Sequence, residues 1–193
     1  IFEEYVVRKD RQDFSEGPST EIKTLNEGQE QAFQEIKTSF QEQDVVLLHG
    51  VTSSGKTEIY VKLIQEVLDA GRQVLYMVPE IALTTQLITR LKKYFGDQIS
   101  VYHSKFSLNE RTEVWRNVLG KKPKAQLVVG ARSSLFLPFS NLGLVIVDEE
   151  HEPSFKQYNP APRYHARDAS VVLAPLHNGK VLMATVNPRL YMT

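Results

Sequence analysis

The sequence has no cysteine, and its 193 residues include a single tryptophan and three methionines. Without cysteine the chain can form neither a disulfide nor a thiolate metal site, as is common in a reducing compartment. No stretch approaches the roughly 18 uninterrupted apolar residues of a membrane-spanning helix. The acidic start, Ile1-Phe2-Glu3-Glu4, also differs from the basic start of a signal peptide. We therefore expect a soluble protein that is not exported.

The sequence also lacks net charge, because 23 Lys and Arg residues balance 23 Asp and Glu residues. Many nucleic-acid-binding proteins have an excess of basic residues, so any such binding here must use a local surface. Apolar residues make up 41% of the chain and charged residues 24%, which is ordinary for a globular domain and excludes a coiled coil or a collagen-like fibre. Because the chain does not begin with Met, we expect a fragment of a longer protein.

The hydrophobic pattern divides the chain into two parts. Residues 1–24 mix charged residues with Ser, Gly and Pro and show little periodicity, so we predict a linker or arm. Residues 25–193 alternate between short apolar runs and amphipathic segments of helical period. This alternation predicts an α/β fold in which a mostly parallel sheet is covered by helices on both faces.

Individual elements follow from the same periodicity. Predicted helices run from an N-cap at Asn26 to about Phe40, from the phosphate loop to Gly71, and over 83–95 and 108–119. Predicted strands lie at 45–48, 74–78, 99–102, 126–129, 144–147 and 181–183. The first of these is a continuous apolar run, so we expect it to be buried on both faces.

The strongest signal is a complete match to the phosphate-loop pattern G-x-x-x-x-G-K-[ST]. A predicted strand precedes the loop and a helix follows it, so backbone amides and the positive helix terminus would face a polyphosphate. Lys56 would reach the β and γ phosphates, and the Thr57 hydroxyl would bind Mg²⁺. The alternative is a Gly/Ser-rich turn with an incidental lysine. The candidate nucleotide-binding residues of this loop are Gly50, Thr52, Ser53, Ser54, Gly55, Lys56 and Thr57.

The second signal is an apolar strand at 144–147 that leads directly into Asp148, Glu149, Glu150 and His151. Next to a phosphate loop, Asp148 would hold Mg²⁺ directly or through water, and Glu149 would polarise the attacking water. Lys56, Asp148 and Glu149 are therefore the candidate catalytic residues. The alternative is a solvated acidic turn. His151 has no partner at zinc-site spacing, and we expect it to relay the nucleotide state to neighbouring elements.

Five segments carry a more specific pattern: GVTSSGKTE at 50–58, VPEIALT at 78–84, GARSSLF at 130–136, VDEEH at 147–151 and RYHARD at 163–168. Together they resemble the PriA family of DExH-type superfamily 2 DNA helicases, which restart stalled replication forks. The resemblance covers roughly residues 25 to 185. It implies a RecA-like first motor lobe that binds ATP and Mg²⁺, helicase and ATP hydrolase activity in the full-length protein, and a bacterial cytoplasmic location. The isolated lobe would hydrolyse ATP poorly.

The resemblance also implies roles for single residues. Gln29 would read the adenine edge, because its amide offers both a donor and an acceptor; the alternative is a solvent-facing helix residue. Residues that follow strands would contact the single-strand backbone, and the aromatic-rich segment near 155–164 would stack on bases with basic residues beside phosphates. Caps, turns and local ring packing are the alternatives. The candidates for DNA contact or coupling are Glu80, Arg132, Ser133, His151, Phe155, Lys156, Tyr158, Arg163, Tyr164 and Arg167.

The implied partners are forked and single-stranded DNA, primosome proteins and a second helicase lobe of the same parent chain. Single-strand binding protein is a further candidate, and no membrane partner is implied. The family's paired-cysteine zinc region would lie in the C-terminal part of the parent, outside this chain.

Two alternative functions remain open at this point. A P-loop kinase would share Lys56 and Thr57, but no arginine-bearing lid is evident before Asp148. A non-catalytic nucleotide-binding module of the primosome is compatible with the altered segment at 183–186, which reads Met-Ala-Thr-Val where the family usually has Ser-Ala-Thr-Pro. The intact Lys56, Asp148 and Glu149 argue against such a module.

Overall fold

The computed structural model describes residues 22–50 and 55–185, and in these ranges six strands alternate with five α-helices. The strands are β1 (Val45–His49), β2 (Gln73–Met77), β3 (Ile99–Tyr102), β4 (Leu127–Gly130), β5 (Leu142–Val147) and β6 (Lys180–Thr185). The helices are α1 (Glu27–Glu42), α2 (Lys56–Asp69), α3 (Thr85–Phe95), α4 (Leu108–Leu119) and α5 (Ala166–Leu176). The six predicted strands and the first four helices are thus confirmed, with small shifts in their ends.

The six strands form one parallel sheet in the order β1-β6-β5-β2-β4-β3. The predicted parallel sheet is therefore confirmed. Because the strands are parallel, all their carboxyl ends lie at the same edge, where ligands of open α/β sheets bind. The phosphate loop follows β1 and the acidic segment follows β5, with β6 between these two strands.

Helices cover both faces of the sheet, as predicted. Successive residues of β2 point to opposite faces: Val74 and Tyr76 join the core under α1, α2 and α3, whereas Leu75 and Met77 join the core on the side of α4 and α5. Both cores contain large, buried apolar side chains. The two cores, one on each face of the sheet, thus hold the strands whose carboxyl ends carry the motifs.

Strand β1 differs from the prediction. Leu47 is 52% exposed, so the expectation that residues 45–48 are buried on both faces is wrong. β1 is an edge strand that pairs with β6. Val46 and Leu48 pack against the core under α1 and α2. On the other face α5 lies mainly over β5 and β6, so Val45 still packs against the second core but Leu47 is exposed.

Two features were not expected from the sequence. The hydrophobic pattern assigns no helix to α5, because its buried face consists of the small residues Ala166, Ser170 and Ala174. Ile22, within the predicted arm, packs against the core, so the folded lobe begins by residue 22. The rest of that arm, residues 1–21, lies outside the described residues.

No helix in the described ranges is long and apolar enough to cross a membrane.

Candidate nucleotide-binding site and aromatic loop

The sheet edge brings together motifs that are distant in sequence. The Gly50 amide donates to the Thr185 carbonyl at 3.1 Å, and the Glu150 amide donates to the Ala184 carbonyl at 3.0 Å. The Asp148 amide in turn donates to the Met77 carbonyl at 2.9 Å. These bonds continue the strand pairing past the ends of the strands. They fix the start of the phosphate loop and the acidic segment relative to the same sheet.

The described part of the phosphate loop consists of Gly50, Gly55 and the first residues of α2. The Lys56 Nζ donates to the Gly50 carbonyl at 2.8 Å and lies 4.0 Å from the Glu149 Oε1. The lysine side chain therefore reaches back across the loop toward the acidic segment. Thr57 is half-buried beside it. The predicted residues Thr52, Ser53 and Ser54 lie outside the described residues.

Gly55 ends the loop in a conformation that requires glycine. Its φ is +81°, in the left-handed region that disfavours side chains. A Cβ at this position would lie 2.1 Å from the Gln29 Nε2, which itself donates to the Gly55 carbonyl at 3.3 Å. The second glycine of the pattern thus leaves room for the Gln29 side chain against the loop.

Gln29 lies against this end of the loop. Its Oε1 accepts from the Asn26 amide at 2.9 Å and completes a capping box at the start of α1. Both ends of the amide therefore have protein partners. To read an adenine edge, the Gln29 amide would have to exchange these bonds for bonds to the base, and this role stays a prediction.

Asp148 projects into the gap between α2 and the end of β2. Its Oδ1 accepts from the Tyr60 hydroxyl and its Oδ2 from the Tyr76 hydroxyl, each at 3.0 Å. Burial, together with the negative charge of Asp148, raises the pKa of both tyrosines well above the ordinary value. Both hydroxyls therefore keep their protons and act as donors. Neither tyrosine was singled out from the sequence.

Glu149 has an unusual backbone for a non-glycine residue, with a φ of +51°. Such left-handed residues cost about 1–3 kcal/mol and often occur at functional sites. Here the turn places the Glu149 carboxylate between the side chains of Lys56 and His151. Its Oε1 lies 4.0 Å from the Lys56 Nζ and its Oε2 lies 3.8 Å from the His151 Nδ1. Glu149 is thus aimed back at the phosphate loop.

His151 connects the acidic segment to the neighbouring strand. Its Nδ1 lies 3.0 Å from the Oγ1 of the buried Thr185, the last residue of β6. Thr185 belongs to the altered segment near 183–186, so this segment contacts the site directly. The expected relay role of His151 remains a prediction.

The oxygen donors at this edge suit magnesium. Among the described residues there is no group of three or more His, Asp or Glu side chains that could hold a metal by themselves. Mg²⁺ needs fewer protein ligands, because one or two side-chain oxygens usually combine with water and with the phosphates of the nucleotide. The Thr57 hydroxyl and the Asp148 carboxylate are hard donors of this kind, so the donor set fits Mg²⁺.

Residues of the predicted DNA-binding edge have partners within the protein. The half-buried Arg132 starts the short 3₁₀ helix Arg132–Phe136 and donates to the Ser154 and Lys156 carbonyls at 3.2 and 3.1 Å. Arg132 therefore anchors the following loop, and a phosphate contact would have to replace these bonds. Glu80 is exposed and accepts from the Ser104 hydroxyl at 2.6 Å. Ser133 is half-buried next to Arg132.

Residues 153–165 form a loop that we call the aromatic loop. Phe155 is only 1% exposed and belongs to the core on the α5 side, so the expectation that it stacks on a base is corrected, and the alternative of local packing holds for this ring. Tyr158 is 65% exposed. The Tyr164 ring packs edge-on against Phe136, with centroids 4.8 Å apart, and Phe136 is itself 61% exposed. Tyr158 and Phe136 are thus the exposed rings at this loop, and Tyr164 is half-buried.

Phe136 was not identified as a candidate from the sequence, although it ends the GARSSLF segment. Its only sequence signal is that position, because its proximity to Tyr164 depends on how the aromatic loop folds back over the 3₁₀ helix.

The basic residues near this loop differ in their surroundings. Arg163 is exposed, and the half-buried Lys156 pairs with His165 in a short antiparallel bridge. Arg167 is instead bound to two carboxylates, at 2.9 Å from the Glu150 Oε2 and 2.6 Å from the Asp168 Oδ1. Arg167 is thus held in ion pairs within the protein, and a DNA phosphate would have to compete with both carboxylates, so its DNA contact stays a prediction.

Removing one partner of the Glu150–Arg167 pair should be strongly destabilising, because the Glu150 side chain is only 2% exposed and that of Arg167 only 15%. We expect Arg167→Ala to lower the free energy of unfolding by about 3 kcal/mol, since it removes the arginine from a buried carboxylate. Urea unfolding followed by circular dichroism measures this loss. Arg163→Ala is the matched control: an exposed arginine should change stability by no more than about 0.5 kcal/mol. Equal losses for the two variants would contradict the prediction.

A phosphate loop after β1, an acidic turn after β5, with only β6 between these strands, and a single parallel sheet are together typical of a nucleotide-binding RecA-like lobe. A model of the DEAD/DEAH box helicase family matches residues 26–189, and the chain belongs to this family.

Within the family the chain is similar to replication restart proteins. It is 45% identical over 173 residues to replication restart protein PriA of Bacillus subtilis and 46% identical over 169 residues to that of Haemophilus influenzae. These matches cover 89% and 86% of this chain but 21% and 22% of the relatives. The chain thus spans about a fifth of the length of the curated relatives it matches. The resemblance seen in the sequence motifs is confirmed, and a first motor lobe fits this coverage.

Solved structures show the same fold at low sequence identity. RecG bound to a three-way DNA junction has a TM-score of 0.61 and 21% identity, over 89% of this chain and 24% of that chain. The Sulfolobus solfataricus SWI2/SNF2 ATPase core in complex with dsDNA has a TM-score of 0.57 and 12% identity, over 89% of this chain and 34% of that chain. The predicted RecA-like lobe is therefore confirmed as a fold.

Proposed function

We propose that this chain is the ATP-binding first motor lobe of an ATP-dependent DNA helicase that acts at stalled replication forks to restart replication. One observation carries the proposal: Lys56, Asp148 and Glu149 meet at one sheet edge in a chain that is 45% identical to a replication restart protein over 89% of its length. The family membership and the intact acidic turn favour an ATP-hydrolysing motor over a kinase or a purely binding module.

Lys56 and Glu149 would perform the central tasks of hydrolysis. The Lys56 ammonium now contacts the Gly50 carbonyl and approaches Glu149, and the phosphates of ATP would replace these partners. Glu149 would then be released from the lysine to orient the attacking water. Most of the rate enhancement in such a site comes from positioning and charge stabilisation.

Thr57 and Asp148 would hold the magnesium ion. When bound with the nucleotide, Mg²⁺ neutralises charge on the β and γ phosphates. The phenol donors keep the Asp148 carboxylate oriented toward α2, on the side of the sheet where the phosphate loop begins its helix. The site needs no second carboxylate, because the nucleotide and water supply the remaining ligands of the magnesium ion.

The aromatic loop would couple DNA binding to hydrolysis. Its exposed ring Tyr158 and its half-buried ring Tyr164 would stack on unpaired bases. The loop is attached to the sheet edge at two points, through Arg132 and through the Glu150–Arg167 pair at its end. Movement of the loop on DNA binding would therefore act on the residue that directly follows Glu149.

Several partners remain part of the proposal. We infer forked and single-stranded DNA, primosome proteins, single-strand binding protein and a second helicase lobe, which would supply an arginine finger. Because the named relatives are bacterial replication proteins, we place the activity in the bacterial cytoplasm. The chain has no cysteine, so a zinc site of the kind the family carries would have to lie outside these 193 residues.

The test is ATP hydrolysis by the full-length protein, with and without forked DNA. We expect strong stimulation by the fork and a low rate for the isolated lobe, since that lobe lacks the arginine finger of its partner lobe. Retained nucleotide binding without stimulation would support the non-catalytic module. Turnover by the isolated lobe at the rate of the intact protein would contradict the need for a second lobe.

A further inference from the structure

Two buried tyrosines from different elements converge on one carboxylate. Tyr60 lies on α2 and is 0% exposed, and Tyr76 lies on β2 and is 1% exposed. Each hydroxyl donates to a different oxygen of Asp148, at 3.0 Å in both cases. The Glu149 amide adds a third donor, at 3.2 Å from the Asp148 Oδ1. Both oxygens of this carboxylate are thus fixed by donors.

The convergence follows from the two periodicities of the fold. Tyr60 is four residues after Lys56 and three after Thr57, so it lies on the same side of α2 as these residues. Tyr76 is aligned with Ile146 in the neighbouring strand, and Asp148 is two residues further, so Tyr76 and Asp148 point to the same face of the sheet. The phenol groups therefore lie directly behind the residues that would bind nucleotide and metal.

Core packing does not require the two hydroxyls. The rings pack edge-on with centroids 5.6 Å apart, and phenylalanine would fill nearly the same volume. A hydroxyl that is removed from water lowers stability unless it finds a partner, and here the partner of each hydroxyl is Asp148. The mutual packing of the rings also restricts both side chains, so the donors are held in fixed positions.

We propose that Tyr60 and Tyr76 are positioning residues that orient the Asp148 carboxylate for the magnesium ion of the bound nucleotide. The inference rests on the proposed function, because it assumes the magnesium role of Asp148. The Asp148 Oδ1 accepts two hydrogen bonds, whereas the Oδ2 accepts only the one from Tyr76. The Oδ2 therefore keeps a second lone pair, which is available to the ion or to a water bound to it. Partners that hold a metal ligand in place typically change metal affinity about 10- to 100-fold when they are removed.

The test is a magnesium titration of nucleotide binding by the full-length protein. Binding of fluorescent N-methylanthraniloyl-ADP would be measured against free Mg²⁺ for the wild type, Tyr60→Phe, Tyr76→Phe and the double variant. We expect the double variant to need about 10-fold more Mg²⁺ for half-maximal enhancement of binding, and each single variant about 3-fold more. Affinity in EDTA should stay unchanged, because the phosphate loop is intact.

Tyr94→Phe is the matched control, since Tyr94 is a buried tyrosine of α3 whose ring packs against Phe95. It should titrate like the wild type. A purely structural role of Tyr60 and Tyr76 would lower the melting temperature of the Phe variants without moving the magnesium midpoint, and that result would overturn the inference. If the double variant does not fold, the two single variants give the same reading.

Asp148→Asn separates this inference from the proposed function. Loss of the magnesium enhancement in Asp148→Asn, together with wild-type titration of the tyrosine variants, would reject the positioning role and leave the proposed function standing. An unchanged magnesium midpoint in Asp148→Asn would reject the magnesium role of Asp148 itself, and the role of the two tyrosines with it.

Discussion

Lys56→Ala should lower the kcat of DNA-stimulated ATP hydrolysis by the full-length protein about 10²- to 10³-fold, as removal of one preorganised charge-stabilising donor does in other enzymes. In the structure the Lys56 Nζ spans the phosphate loop between the Gly50 carbonyl and Glu149. This position allows it to transfer to the phosphates and to neutralise charge that develops during their cleavage. The alanine variant retains the loop backbone but has no cation at its centre. Phosphate release at saturating forked DNA measures the effect.

Lys62→Ala is the control for this experiment. Lys62 lies on the same helix, but its Nζ pairs with Glu30 at 2.8 Å and is directed toward α1. This variant should hydrolyse ATP within about twofold of the wild type, because the ion pair with Glu30 and the contact over the Phe33 ring that it removes both lie toward α1 and not at Glu149. A Lys56→Ala enzyme that keeps more than a tenth of the wild-type kcat would contradict the assigned role of the lysine.

Glu149→Gln should separate nucleotide binding from hydrolysis. Glutamine keeps the size of the side chain but cannot activate water, and loss of a general base typically costs about 10²- to 10⁴-fold in rate. The Glu149 carboxylate lies 4.0 Å from the Lys56 Nζ, so removing its charge also removes a competitor of the phosphates for the lysine. We therefore expect ATP affinity to be retained or increased while single-turnover hydrolysis is nearly abolished.

Glu152→Gln provides a carboxylate control three residues further along the same turn. Glu152 is half-buried, and its amide donates to the Glu149 carbonyl at 2.9 Å, so the substitution tests general charge loss in this segment. It should leave the single-turnover rate close to that of the wild type. Equal rates for Glu149→Gln and Glu152→Gln, whether high or low, would show that Glu149 has no special role with the attacking water.

Much of the fold and the site could be predicted because its signals are local. The strand, loop and helix around Lys56 are contiguous in the chain, and so are the strand and acidic turn around Asp148. Parallel strands necessarily place their carboxyl ends at one edge, so the meeting of these two motifs followed from the alternation of strands and helices. The helix that was not predicted, α5, buries small residues whose hydrophobic period is weak.

What the sequence by itself determined is therefore the class of fold and the family, and its motifs supplied the candidate residues for nucleotide binding. The tertiary structure, beginning with the order of the strands, decided which residues surround the site and which are exposed. It placed β1 at the sheet edge and exposed Leu47, and it brought Tyr60 and Tyr76 to Asp148 across separations of 88 and 72 residues.

The same reason explains the residues of the aromatic loop. An arginine or a phenylalanine in a loop has the same local pattern whether it faces DNA, an ion pair or the core. Only the packing of the loop against α5 and the 3₁₀ helix buried Phe155, joined Arg167 to Glu150 and directed Arg132 to backbone carbonyls. Long-range contacts of this kind depend on which surfaces the tertiary structure covers. The hydrophobic periodicity of a short segment carries no information about such contacts.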